Sequence, residues 1–221
     1  HLPTSKDKVK QYPNDVTMAL LNYPLLMAAD ILIYKASKVP VGIDQEPHLE
    51  IAREVARKMN EKYGLDFPEP TRFATKGEYV PSLLGEGKMS KTVEGSSIDL
   101  SDDIDTIVKK LKRAPTDLGF GETVPQEGGV ANLLKLVELF EGAETRKHYE
   151  NLYTSTGIRY GDLKKQLAEA IFVEIEPIQV KRAQLELNPA YIDEMIKVGA
   201  EKSRSIAQKT LLEVKQVMGL S

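Results

Sequence analysis

The 221 residues are 41% hydrophobic and 29% charged, with a formal net charge of −3. This is the balance of an ordinary globular chain and excludes a disordered polyelectrolyte. With no Cys there is no disulfide framework, thiolate metal site or thiol nucleophile, and the three His residues are too scattered in sequence to suggest a metal site. No apolar run approaches the roughly 20 residues that span a bilayer and no signal-peptide core is visible, so no membrane association and a cytoplasmic location are expected, an organelle staying open if a leader has been lost.

The polar start at His1 reads as an interior starting point. Asn14 can cap a helix through Val16, Ala19, Leu20 and Tyr23, which Pro24 is expected to interrupt and restart. In the second helix, Pro24 to Tyr34, residues Met27, Asp30, Ile31 and Tyr34 recur at helical spacing, so one carboxylate sits on an apolar stripe. A buried Asp must cap local structure, pair with a cation, or accept from a ligand. Lys38 to Gly42 reads as a short strand, followed by Asp44 as N-cap of a long helix carrying Leu49, Ile51, Ala52, Val55, Ala56 and Met59. A strand feeding a helix N-terminus suits a phosphorylated ligand, and plain capping accounts for Asp44 equally well.

Arg72 to Tyr79 contains a candidate strand. The next segment, Gly85-Glu-Gly-Lys-Met-Ser-Lys-Thr92, places two lysines around Met-Ser in a glycine-bearing turn. Flexible backbone with exposed N–H groups and two long-stemmed cations suits a polyphosphate, although a solvated basic turn has the same composition. Beyond it the pattern is helical: Asp102 to Arg113, Val130 to Phe140, Ala143 to Tyr153, Tyr160 to Leu187 and Pro189 to Met218. Gly119, Gly121, Pro125, Gly128 and Gly129 mark one long connection. The change of pattern near Ser97 to Ser101 predicts an incomplete α/β part over residues 1–100 and an α-helical bundle over 101–221, predominantly α overall. Any RNA contact must come from local clusters such as Lys109, Lys110, Lys112 and Arg113, or Lys202, Arg204 and Lys209.

Lys88-Met89-Ser90-Lys91-Thr92 resembles the KMSKS signature of class I aminoacyl-tRNA synthetases, with Thr keeping the final hydroxyl. Tyr23-Pro-Leu-Leu-Met-Ala-Ala-Asp30, continued by Val39-Pro-Val-Gly-Ile-Asp-Gln45 and His48-Leu-Glu50, resembles the tryptophanyl-tRNA synthetases. The other class I signature, a His-Ile-Gly-His-like motif, has no match here. The expected chain is therefore a C-terminal portion of a Rossmann-type catalytic domain followed by a helical tRNA anticodon-binding domain, inactive by itself.

The resemblance implies ATP-dependent activation of L-tryptophan to its adenylate and transfer to tRNA(Trp), with Mg²⁺ bridging phosphates and a homodimeric enzyme. Lys88 and Lys91 would be catalytic. Gly42, Ile43, Asp44, Val80, Met89, Ser90 and Thr92 would join them in binding ATP; Ile43 stands where many relatives place Glu. Asp30 would accept from the indole N–H, Met27, Val39 and Val41 would line the ring, and Tyr23 and Gln45 would hold the amino group. Related tyrosyl enzymes generally carry Gln at the position of Met27, which favours tryptophan. Competing readings are a tyrosyl-tRNA synthetase, a non-catalytic RNA- or partner-binding fragment, and an unrelated α/β nucleotide-binding protein.

Overall fold

A computed structural model describes residues 18–74, 77 and 79–220. The chain forms two compact units, residues 1–78 with 192–221, and residues 79–191. The expected cap at Asn14 lies outside the described residues.

In the first unit, α1 (Met18–Leu32) runs straight through Pro24, so the expected interruption does not occur. Proline in a helix forfeits the bond to the carbonyl four residues back and its ring crowds that carbonyl; here the ring is fully buried, which offsets part of the cost. The helix ends in a turn at Lys35, which takes φ +47°, with Lys35 N–H donating to Leu32 O at 2.9 Å. Strand β1 (Lys38–Val39) is shorter than predicted, ending before Pro40. A 3₁₀ turn (Ile43–Gln45) leads into α2 (Glu46–Tyr63), and the chain returns to β2 (Thr71–Arg72).

The strands are parallel, with Lys38 opposite Thr71 and Val39 opposite Arg72, and α2 is the crossover between them. Helix α2 is amphipathic. Leu49, Ala52 and Ala56 are fully buried, while Arg53 and Arg57 on the other side bond Glu46, Glu50 and Glu69. Asn60 fixes the return loop by donating to Phe67 O (2.9 Å) and accepting from Phe67 N–H (2.8 Å).

The second unit contains α3 (Ile104–Arg113), α4 (Gly128–Glu141), α5 (Ala143–Tyr153) and α6 (Tyr160–Glu186), and α7 (Pro189–Met218) starts there. From residue 192 onwards α7 belongs to the first unit, where Val214 packs on Leu32, Ala56, Leu65 and Phe67, and Lys35 bonds Glu213 and Asp66. An α/β part with a small parallel sheet and a helical part are thus both present. By packing, the Gly-Lys segment belongs to the second of the two units.

The helical core is formed by Ile107 and Leu111 of α3, Leu133, Leu134 and Val137 of α4, Tyr149 and Tyr153 of α5, and Leu163, Leu167 and Ile171 of α6. Asp103 caps α3 by accepting from Thr106 N–H at 2.8 Å. Gly128 and Gly129, expected in the connection, instead open α4. A Cβ on Gly129 would lie 2.0 Å from the Pro115 carbonyl oxygen, so glycine alone permits this approach. Asp117 anchors the connection by accepting from the hydroxyls of Tyr153 (2.6 Å) and Tyr160 (2.7 Å) and from Gly119 N–H (2.8 Å). Lys110 is committed to Asp102 (2.6 Å) and Asp99 (3.0 Å), which removes it from the basic cluster expected on α3.

Candidate functional site

The signature segment is a hairpin seated on the helical core of the second unit. Met89 N–H donates to Val80 O (2.8 Å), Pro81 and Lys88 form an antiparallel bridge, and Ser82 N–H donates to Gly87 O (3.0 Å). The reversal needs left-handed backbone at Gly85 (φ +93°) and Gly87 (φ +68°), which only glycine adopts readily. Val80 and Met89 pack against the helical core, and Met89 Sδ accepts from Ile98 N–H at 3.5 Å. Asn132 of α4 donates to Ser82 O at 2.8 Å, fastening the hairpin to that helix.

Beyond Met89 the chain makes a second turn. Ser90 Oγ lies 2.9 Å from Thr92 Oγ1 and accepts from Thr92 N–H at 3.3 Å. Ser90 O accepts from Ser96 Oγ at 2.6 Å, and Ser96 Oγ accepts from Ser90 N–H at 3.2 Å. Lys88, Lys91 and Thr92 are exposed, while Ser90 is half-buried. The result is a held backbone that leaves both lysines exposed. Ser96, 1% exposed, was not legible because nothing in the local pattern pairs it with Ser90.

On the other side of the hairpin an open polar cavity of about 950 Å³ lies between Tyr79, the 85–87 turn, the first turns of α4 and Arg146. The Lys135 ammonium stands 4.7 Å from the Tyr79 ring centroid. Lys135 and Arg146 were not singled out from the sequence.

In the first unit, Met27, Val39 and Val41 share one apolar cluster with Ala28, Ile31, Leu49 and Ala52. The residues expected around an aromatic ring are therefore gathered. Asp30, in contrast, is exposed and not a buried carboxylate on an apolar stripe. It follows the buried Ala28 by two residues, about 200° around the helix, and so faces away from α2. Tyr34 is exposed as well.

Tyr23 meets the buried His48 edge to face, centroids 4.8 Å apart, with its hydroxyl hydrogen-bonded to His48 Nε2. His48 lay inside the recognised string, but its pairing with Tyr23 was not foreseen. Asp44 is not the N-cap of α2. Gln45 holds that position without a side-chain cap bond, and Asp44 lies in the 3₁₀ turn, accepting from Gln45 Nε2 at 2.9 Å. A Cβ on Gly42 would lie 2.7 Å from Asp44 Oδ1, so the carboxylate rests against the glycine. Ile43 is exposed.

No group of three or more His, Cys, Asp or Glu is gathered as a metal set among the described residues, and no described helix is long and apolar enough to cross a membrane.

The family described as tRNA synthetases class I (W and Y) matches residues 2–173. Over 219 residues the chain is 44% identical to a tryptophan–tRNA ligase of Porphyromonas gingivalis, covering 97% of this chain and 66% of that protein. The chain thus spans about two thirds of the length of the curated relatives it matches. Among solved structures, the tryptophanyl-tRNA synthetase of Campylobacter jejuni complexed with ADP and tryptophan aligns with a TM-score of 0.75 at 31% identity, covering 100% of this chain and 68% of that one. That of Mycoplasma pneumoniae gives 0.79 at 29% identity with the same coverage. With a hairpin that carries the KMSKT string and a family match extending over most of its length, the chain belongs to the class I tRNA synthetases for tryptophan and tyrosine, and resembles the tryptophanyl members.

Proposed function

We propose that the full-length protein activates L-tryptophan with ATP and transfers it to tRNA(Trp). The observation that carries this reading is the hairpin holding Lys88 and Lys91 exposed on either side of a pinned Met89-Ser90 backbone. As the tryptophan carboxylate attacks the α-phosphorus, negative charge builds on the departing pyrophosphate. Ammonium groups that meet this charge more closely in the transition state than in the ground state lower the barrier. Left-handed turns at Gly85 and Gly87 and two mobile lysine stems fit a polyphosphate; Mg²⁺ would arrive on the ATP oxygens and neutralise part of their charge.

In this reading Met27, Val39 and Val41 line the indole, Asp30 accepts its N–H, and Tyr23 and Gln45 orient the ammonium group. Gly42, Ile43, Asp44 and the Val80 backbone contact the adenosine, and Met89, Ser90 and Thr92 complete the phosphate cradle. Residues 1–100 serve catalysis and 101–221 anticodon recognition, in a cytoplasmic homodimer. The match to tryptophan–tRNA ligases at 44% identity and the gathered Met27, Val39 and Val41 support tryptophan over tyrosine.

ATP–pyrophosphate exchange by the full-length protein tests the proposal. Exchange should require tryptophan and be negligible with tyrosine or phenylalanine, and Asp30→Ala should erode the preference for tryptophan over phenylalanine with ATP binding little changed. Exchange driven by tyrosine alone, or none with any amino acid, would overturn it.

A further inference from the structure

Ser96 follows the signature string by four residues, yet its hydroxyl reaches back to both main-chain groups of Ser90. It donates to Ser90 O at 2.6 Å and accepts from Ser90 N–H at 3.2 Å, while Ser96 O accepts from Leu83 N–H at 3.0 Å. One 1%-exposed residue of the second turn thereby bonds both Leu83, at the end of the first arm, and Ser90, just past the second. The segment 90–96 is closed by two further turns, Val93 N–H to Ser90 O (3.3 Å) and Ser96 N–H to Val93 O (3.2 Å). With its backbone groups occupied, the Ser90 side chain is left to Thr92. Lys91 is therefore suspended between two fixed residues, its stem free but its Cα set by the Ser96 hydroxyl.

We infer that Ser96 is a positioning residue for the phosphate-binding loop, acting through Ser90 to fix the origin of the Lys91 side chain. The inference rests on the reading of that loop as the polyphosphate site. A buried hydroxyl with both a donor and an acceptor role has no substitute in alanine, and small misplacements of a charged group act mainly on the chemical step.

The test uses the full-length protein. Ser96→Ala should speed hydrogen exchange of the Ser90 amide and lower kcat of tryptophan-dependent exchange by roughly tenfold to hundredfold, with KM for tryptophan within about twofold. Ser96→Thr, which keeps the hydroxyl, should restore both. An unchanged Ser90 amide, or a loss confined to KM, overturns the inference. If Ser96→Ala does not fold, exchange in the unmodified protein decides: a Ser90 amide as labile as that of an open loop overturns it. Exchange at Ser90 is read whatever amino acid the enzyme uses, so failure of the tryptophan reading leaves this arm standing on its own.

Discussion

Lys164 Nζ lies 2.7 Å from the carbonyl oxygen of Ala114, so the 8%-exposed lysine of α6 closes the C-terminal end of α3. A second contact reaches Lys112 O at 3.3 Å. Burial pushes the Lys164 ammonium below its ordinary pKa, and the two carbonyls at a helix C-terminus supply the compensation. Lys164→Met keeps the volume and removes the donors. It should destabilise the protein by about 1–3 kcal/mol in urea unfolding followed by circular dichroism. Unchanged stability would show that water caps α3 equally well.

Gly129→Ala should cost about 1–3 kcal/mol or more, because the new methyl carbon would sit 2.0 Å from the Pro115 oxygen, a backbone atom that cannot swing aside. Gly128→Ala has no such neighbour and pays only for its φ of +84°. Thermal unfolding of the two variants separates close approach from backbone conformation, and the larger drop belongs to Gly129.

Asp117 yields a pH dependence. Partial desolvation raises its pKa, but the hydrogen bonds from Tyr153, Tyr160 and Gly119 N–H outweigh this and hold the carboxyl below the usual 3.8. A depressed carboxyl pKa adds stability that is complete above the unfolded value and is lost as pH falls through the folded one. Asp117→Asn should therefore lower the urea midpoint at about pH 6, and the gap to the unmodified protein should shrink at about pH 3. Asp117 is exposed, so solvent screening limits the effect to about 1 kcal/mol. A gap independent of pH would exclude the carboxylate charge as its source.

Lys91→Ala in the full-length protein should slow single-turnover adenylate formation by about 10²–10³-fold and leave thermal unfolding unchanged, because the side chain is exposed. Adenylate formation at the unmodified rate would remove Lys91 from the transition state.

Much of this architecture was readable from local pattern. The amphipathic period delivered α5 at Ala143–Tyr153 with both ends correct, and the Asn188-Pro189 step separated α6 from α7. The glycine-lysine string announced a turn, and the turn is present. What escaped depends on contacts distant in sequence. Burial of its ring lets Pro24 sit within α1, and a 3₁₀ turn displaces Asp44 from the cap position. Asp30 shares its helical period with Met27 and Ile31, and only the direction of α2 decides which side of α1 is covered. The clamps at Ser96, Asp117 and Lys164 are single polar side chains answering backbone or hydroxyl groups elsewhere, and periodicity carries no trace of them.

Met89 is the one side chain of the KMSKT string that packs against the core. An unbranched thioether has three soft torsions and can re-seat among aliphatic neighbours without opening a void. Here that adaptability serves seating: the thioether fits itself to the helical core while the pinned backbone above it holds the two lysines exposed. A β-branched valine in its place is shorter and stiff at χ1, and would leave part of that seat unfilled beneath the string.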